Sequence, residues 1–190
     1  MTAMIEAKGL SKRYKNKQAL DNVNFTVGEG RIVGLIGRNG AGKATALKSV
    51  LGLSSFEGSL TVLGRDPSRE REQMLQSVSF IADVAVLPKW LKVRNALDYV
   101  EGVHPGFQRE RAEQFLAKTD IRMDSKVREL SKGMVTQLHL SLVLAIRAKL
   151  LVLDEPTLGL DLLFRKQFYD TLLNDYFDGN RRRGTIERSC

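Results

Sequence analysis

The segment from Gly34 to Thr45, GLIGRNGAGKAT, combines glycines and a lysine at a spacing suited to phosphate binding. An apolar run at 32–36 predicts a buried strand before it, and apolar residues at helical spacing follow it from Ala46 to Leu51. Glycines at such a turn let successive N–H groups point into one concavity at a helix N-terminus. The glycines concerned are Gly37, Gly40 and Gly42. With Lys43 adding a charge for the outer phosphates, the segment predicts a nucleotide-binding loop; the alternative is a glycine turn beside a surface lysine.

Ala44 departs from the full pattern, G-x-x-x-x-G-K-[ST], at its last position. That position normally supplies a hydroxyl to Mg²⁺, and alanine has none. Thr45 is no obvious substitute, because one residue along a helix turns the side chain by roughly 100°. The loop therefore predicts nucleotide binding but does not predict metal-assisted hydrolysis.

A second candidate for chemistry is KLLVLDEPTLGLD, which runs from Lys149 to Asp161. Apolar residues ending in Asp154 and Glu155 describe a buried parallel strand whose carboxylates emerge at the ligand-binding edge of the sheet. We expect Asp154 to reach a Mg²⁺ on the nucleotide and Glu155 to orient or deprotonate a water molecule. An acidic pair after a strand is common on surfaces, so this prediction depends on the glycine-rich loop.

The segment from Arg128 to Ile146 predicts a helix that begins after Ser131, which is suited to capping it. A free helix N-terminus at Ser-Lys-Gly offers a second possible phosphate site. His139 lies between leucines on this helix, and we interpret it as structural. Tyr14, in a loop upstream of the glycines, is either a packing residue or an aromatic surface for a nucleotide base.

The remaining pattern predicts an α/β core with a helical insertion. We expect strands at 4–7, 19–27, 59–64 and 78–82 and helices at 67–75, 91–100 and 108–118. His104 falls in the breaker-rich run GVHPG and is interpreted as a surface-loop residue.

Composition restricts the classes of function. The 190 residues are 43% hydrophobic, with a net charge of +8 and one cysteine, Cys190, so an internal disulfide is impossible and a reducing compartment is expected. The sequence shows neither a signal-peptide pattern nor an apolar run that would span a membrane, so any membrane role is expected to go through a partner. The positive charge is spread along the chain rather than gathered in one basic element, so no nucleic-acid partner is predicted.

Taken together, the motifs resemble the nucleotide-binding domain of an ATP-binding-cassette (ABC) transporter. The resemblance covers roughly residues 4–178 and depends on Tyr14, GRNGAGKA at 37–44, LSKGM at 130–134, LLVLDEP at 150–156 and LGLD at 158–161. It implies an α/β fold: a P-loop NTPase core with a mixed sheet, antiparallel N-terminal strands and a helical signature subdomain. The implied division is a core at 1–82 and 148–178, a helical subdomain at 83–147 and an atypical tail at 179–190. LSKGM is similar to the signature of a bacterial exporter-type subfamily whose membrane subunit is a separate chain.

The resemblance also implies a role for individual residues. Tyr14 would stack on adenine, and the loop would hold the phosphates of ATP. Asp154 would be a Mg²⁺ ligand, Glu155 the catalytic base, and Asp161 a contact to a second nucleotide-binding subunit. Ser131 and Gly133 would touch the γ-phosphate of ATP bound by that subunit, so both sites form only in a head-to-tail dimer. The implied loop residues are Gly37, Arg38, Asn39, Gly40, Ala41, Gly42, Lys43, Ala44 and Thr45.

Three departures from the family pattern stand out. Asp83 replaces a glutamine that contacts Mg²⁺ and water, and a carboxylate at 83 is still suited to the metal. Ala44 removes a metal ligand. The tail, NRRRGTIERSC, shows no strand pattern and no histidine follows His139, so we expect a disordered, truncated or frame-shifted terminus without the switch histidine.

Three functions remain open at this point. The first is an ATPase subunit on the cytoplasmic face of the cell membrane that drives transport through an integral membrane subunit. The second is a degenerate cassette that binds ATP without hydrolysing it. The third, a soluble ABC protein of translation or DNA repair, fits less well because such proteins usually carry tandem cassettes or a coiled-coil insertion. This sequence does not predict the transported substrate, because the membrane subunit determines substrate specificity.

Overall fold

A computed structural model describes residues 3–38, 40–81, 87–156, 162–177 and 184–188, which form two sheets and six helices. The strands are β1 (Ala3–Tyr14), β2 (Lys17–Gly28), β3 (Ile32–Leu35), β4 (Glu57–Val62), β5 (Val78–Ile81), β6 (Leu150–Asp154) and β7 (Gly184–Arg188). The helices are α1 (Lys43–Val50), α2 (Arg71–Leu75), α3 (Val93–Val103), α4 (Arg109–Leu116), α5 (Lys132–Leu144) and α6 (Leu162–Phe177). The predicted α/β fold with antiparallel N-terminal strands is confirmed.

The N-terminal sheet is antiparallel, with strand order β2-β1-β4. β1 buries Ile5, Ala7 and Leu10 on the face toward the core, as expected for a strand with one covered face. A tight turn at Lys15 and Asn16 joins β1 to β2, and Tyr14 pairs directly with Lys17 across it. This hairpin is longer than predicted, because cross-strand pairing continues through polar residues beyond the apolar runs.

The second sheet is parallel, with strand order β3-β7-β6-β5. β6 is buried from Leu150 to Leu153, as expected for a parallel strand covered on both faces. Since parallel strands share a carboxyl edge, the residues after β3 and β6 lie at the same edge of this sheet.

The expectation that the tail carries no strand is wrong for residues 184–188, which pair with both β3 and β6. A central position satisfies the backbone of β7 from both sides, whatever its side-chain pattern. Only Thr185 and Ile186 are β-branched, and Glu187 and Arg188 interrupt the apolar run by which a buried parallel strand is normally recognised.

The helices pack around three apolar clusters. The first lies between the antiparallel sheet and α1, the second joins α3, α4 and α5, and the third joins α5 and α6 to β5 and β6. Helices α3–α5 thus have a core of their own, which supports the division at 83–147, although that division stays a prediction. The helix expected at 67–75 is limited to α2, while α3 and α4 begin and end within a few residues of the predicted positions.

Candidate functional site

The glycine-rich loop connects β3 to α1 and packs against β2. Gly42 caps α1 with a φ of 87°, and a Cβ there would lie 2.1 Å from the carbonyl oxygen of Ala19. Gly40 also has a positive φ, 84°. Only glycine fits position 42 without moving the backbone of β2, because both the φ and the space exclude a side chain. Gly37 differs, since a Cβ there would make only an ordinary 3.5 Å contact with Ala41.

Lys43 is the first residue of α1 and is almost fully buried, with 8% of its surface exposed. Its ammonium group donates a hydrogen bond to the carbonyl oxygen of Gly37. The lysine therefore closes the loop on itself and holds a positive charge at the N-terminus of α1. That combination favours an anion.

A cleft of about 210 Å³ opens along this loop. Residues 40–45 line one side, and the β1–β2 hairpin contributes Tyr14, Lys17 and Ala19. A cationic, glycine-lined region and an aromatic ring therefore share one cavity, which matches the two chemical parts of a nucleotide.

Tyr14 is held in place at its end of the cleft. Its hydroxyl lies 3.1 Å from Ser54 Oγ, and the ammonium of Lys12 lies 5.1 Å from the ring centroid while donating to Ser55 Oγ at 2.6 Å. The hydrogen bond with Ser54 is the main cause that lowers the pKa of Tyr14, with a smaller contribution from a hydrogen bond with Thr45. Although 46% of Tyr14 is exposed, its hydroxyl and its ring each have a partner in the chain.

The residues in and near the cleft determine whether it could also bind a metal ion. Ala44 lines the cleft with a methyl group, and Thr45 lines it beside Ala44. Asp154 ends β6 at the same sheet edge as the loop, one strand removed. In the described part of the chain, no three His, Cys, Asp or Glu side chains form a group that would hold a metal ion. Ala44 gives the loop no hydroxyl of the kind that this loop pattern supplies to Mg²⁺.

Glu155 follows Asp154 with a φ of 51°, a left-handed conformation that is uncommon for a residue other than glycine. Such backbone strain is often retained where a side chain must be aimed for function. Glu155 thus occupies a strained backbone position directly after β6, at the carboxyl edge of the parallel sheet.

Ser131 and Gly133 lie elsewhere on the chain. Ser131 caps α5, as predicted, and its Oγ accepts a hydrogen bond from the N–H of Met134 at 3.2 Å. A Cβ on Gly133 would meet only Ser131 Oγ, at 3.9 Å. Neither residue lines the cleft, so the structure does not bring this helix start to the chain's own glycine-rich loop. The predictions for Asn39, Asp83 and Asp161 lie outside the described residues.

Sequence reasoning missed Lys12 and Lys17. Both lie on the hairpin before the loop, and their positions near the cleft depend on strand pairing, which no local motif reports. A possible signal was the alternation of basic residues around Tyr14, although such residues are common on solvent-exposed strands.

A second concavity, of about 610 Å³, lies between the chain that enters α3 and the middle of α5. Apolar side chains form most of its lining, and Trp90 and Tyr99 on its rim are 72% and 68% exposed. His139 contributes to the lining, and burial lowers its pKa. We refer to this concavity as the α3–α5 groove.

Comparison with known proteins identifies the family to which this arrangement belongs. A family model described as "ABC transporter" matches residues 20–158, from β2 to just beyond β6. The chain belongs to the ABC transporter family. No helix in the described part of the chain is long and apolar enough to cross a membrane.

Similar proteins include a Nod factor export ATP-binding protein I of Sinorhizobium fredii, 36% identical over 83% of this chain and 48% of that protein. A daunorubicin resistance ATP-binding protein of Streptomyces coeruleorubidus is 33% identical over 88% of this chain and 54% of its own length. A solved ATP-binding subunit of an ABC transporter superposes with a TM-score of 0.86 at 26% identity, covering 98% of this chain and 79% of that one. The chain spans about half to two thirds of the curated relatives' lengths.

Proposed function

We propose that this chain is the ATP-binding domain of an ABC transporter and that ATP binds in the cleft between the glycine-rich loop and Tyr14. The observation that carries the proposal is the shared cavity, which sets an anion-binding helix start and an oriented aromatic ring side by side. Tyr14 stacks on adenine, and the N–H groups of 40–45 together with Lys43 bind the phosphates. The family match and the names of its relatives support this function.

The proposed unit is a head-to-tail dimer of nucleotide-binding subunits. Ser131 and Gly133 start a capped helix whose N-terminus is exposed and away from the chain's own cleft. Asp161 belongs to the same proposed contact. A second subunit, identical or different, would present its α5 start to the γ-phosphate bound here.

The α3–α5 groove is the proposed docking surface for an integral membrane subunit, which would place this chain on the cytoplasmic face of the cell membrane. An exposed tryptophan and tyrosine bordering a large apolar concavity are typical of protein interfaces. The LSKGM signature and the export function named for one relative support an exporter-type subfamily.

The proposed reaction is hydrolysis of ATP, with Glu155 as the base and Asp154, with Asp83, as the metal carboxylates of the family pattern. Mg²⁺, where bound, would neutralise charge on the phosphates. Because Ala44 has no hydroxyl for that ion and Thr45 lies about 100° further around the helix, a cassette that binds ATP and hydrolyses it slowly is the second candidate.

Calorimetric titration of the 190-residue chain with ATP tests the binding function. We expect Tyr14→Ala to weaken ATP binding by about 1–3 kcal/mol, the usual contribution of base–aromatic stacking. Affinity for inorganic tripolyphosphate, which has no base, should not change. Equal ATP affinity in the two proteins would remove Tyr14 from the adenine site, and a wild-type chain without ATP affinity would refute the function itself.

Site-specific cross-linking tests the docking surface. A photoreactive residue placed at Tyr99 is expected to capture the membrane subunit in the assembled complex, because Tyr99 lies on the rim of the groove. The matched position is Lys8, which is exposed on the antiparallel sheet and paired with Glu6. Capture from Lys8 but not from Tyr99 would assign docking to the opposite surface.

A further inference from the structure

Lys17 lines the nucleotide cleft beside the glycine-rich loop. Its Nζ lies 3.5 Å from the position that a Cβ on Gly40 would occupy, so the ammonium stands directly over the loop backbone. Lys17 begins β2 and pairs with Tyr14 across the hairpin turn. The hairpin therefore delivers an aromatic ring and a cation to the cleft from adjacent positions.

No carboxylate among the described residues neutralises the ammonium of Lys17. Among the described residues it forms no ion pair and no hydrogen bond, and no acidic side chain lines the cleft. The neighbouring cations are engaged differently, since Lys43 bonds to Gly37 and Lys12 to Ser55. Lys17 is thus an exposed positive charge whose nearest described surroundings are loop backbone and solvent.

The same cleft lacks a metal ligand at position 44, where the family pattern has a hydroxyl for Mg²⁺. Ala44 offers a methyl group in place of a hydroxyl, and Thr45 lies one residue further along α1, where its side chain is turned by about 100° around the helix. A nucleotide triphosphate carries about four negative charges when metal-free, and a bound Mg²⁺ cancels two of them. If a protein cation takes the place of Mg²⁺ beside the loop, that cation attracts the metal-free nucleotide more strongly than the magnesium complex, because the metal-free nucleotide carries more negative charge.

We infer that this cleft binds nucleoside di- and triphosphates without Mg²⁺ and that Lys17 supplies the neutralising charge. The inference rests on the proposed ATP site and adds to it the ionic form of the ligand. Lys17 acts as a phosphate-binding residue and Lys43 as the second cation of the pair. Mg²⁺ then adds little to affinity.

Calorimetric titration with ATP in excess EDTA and in excess Mg²⁺ tests the inference. The wild-type chain is expected to bind metal-free ATP at least as tightly as the magnesium complex. Lys17→Met should weaken metal-free binding by about tenfold, the effect of losing one charge-assisted hydrogen bond. The loss should be smaller with Mg²⁺ present, and Lys17→Arg should retain most of the affinity.

Lys118→Met is the matched control, because it removes the same charge from an exposed position that lines a different concavity and not the cleft. It should leave both titrations unchanged. Wild-type affinity that falls tenfold or more in EDTA would overturn the inference while leaving the ATP site intact. Equal behaviour of Lys17→Met and Lys118→Met would remove Lys17 from the phosphate site, and absence of ATP binding in both buffers would refute the proposed function as well.

Discussion

The ring of Tyr14 is fixed before any base reaches it. Lys12 lies over one face at 5.1 Å from the centroid, Ser54 holds the hydroxyl, and the ring still borders the cleft. A cation on one face withdraws electron density, which favours stacking of an electron-rich ring on the other. Lys12 is therefore a positioning residue for the proposed adenine site, although it lies outside every motif.

Lys12→Met is expected to weaken ATP binding about two- to fivefold, because an exposed cation–π contact contributes roughly 0.5–1 kcal/mol. Binding of inorganic tripolyphosphate should be unaffected, which separates an effect on the base from a general loss of positive charge. Lys12→Arg should keep the wild-type affinity. An equal loss for ATP and tripolyphosphate would show that Lys12 acts only through its charge.

Residues fixed by local backbone geometry were predictable from the sequence, and residues fixed by strand pairing were not. The need for glycine at position 42 follows from the strand–turn–helix pattern, and the structure adds the reason, a clash with Ala19. Lys17 reaches the same cleft only because the hairpin pairs it with Tyr14. Register across a turn depends on tertiary packing, so a linear motif does not report it.

The helices and strands follow the same rule: those with a local sequence signal were predictable, and those that depend on pairing with distant residues were not. β6 and α5 were predicted because burial leaves a continuous apolar run in one and a capped apolar stripe in the other. β7 was not, because its strand state comes from two neighbours rather than from its own residues. The link between α3 and α4 was also unforeseen. Arg109 bonds to Asp98 and Glu101 on α3 and to Glu113 on α4.

Helix α5 makes folding stability depend on pH through His139. Burial lowers the pKa of this imidazole, so the folded chain resists protonation more than the unfolded chain does. Below the unfolded pKa of about 6.5 the unfolded state binds more protons, and the free energy of unfolding must fall as pH decreases. The stability is fully present above that pH.

Urea denaturation at pH 7 and pH 5.5 measures this effect. We expect the wild-type chain to lose more stability over that interval than His139→Leu, whose side chain does not titrate and suits the apolar lining of the α3–α5 groove. Carboxylates common to both proteins contribute equally, so the difference between the two losses isolates His139. Identical losses would show that the imidazole is hydrated in the folded chain.

At the scale of the whole molecule, α5 connects the proposed interfaces. Its N-terminus carries Ser131, its middle lines the α3–α5 groove with His139, and its buried faces join two clusters. Leu138 and Leu142 pack in the helical cluster, whereas Leu140 and Leu144 pack beside β5 and β6. Displacement of α5 at the groove would therefore reach both the signature residue and the sheet that bears Asp154, because packed cores transmit strain.

Turnover is the property in which this chain is expected to differ most from its family. Phosphoryl transfer depends on alignment of water and phosphate and on neutralised charge, and a base such as Glu155 is useful only once these are in place. With a methyl group at 44, the proposed nucleotide cleft lacks the loop hydroxyl that would hold a metal ion against the phosphates. We expect hydrolysis by the 190-residue chain in Mg²⁺ to be far slower than about 1 s⁻¹, the low end of common enzyme rates.

Ala44→Thr should raise this rate by at least about tenfold, since a single well-placed polar contact in the transition state contributes that much or more. Ala44→Val is the matched control, because valine has the shape of threonine without its hydroxyl, so a gain from volume alone would appear in both variants. Glu155→Gln should remove whatever turnover remains, which separates this chain's activity from a contaminating ATPase. Phosphate release is measured for the four proteins. A wild-type rate near 1 s⁻¹ would show that the metal is held without a hydroxyl at 44, and equal rates for the threonine and valine variants would show that this hydroxyl does not limit turnover.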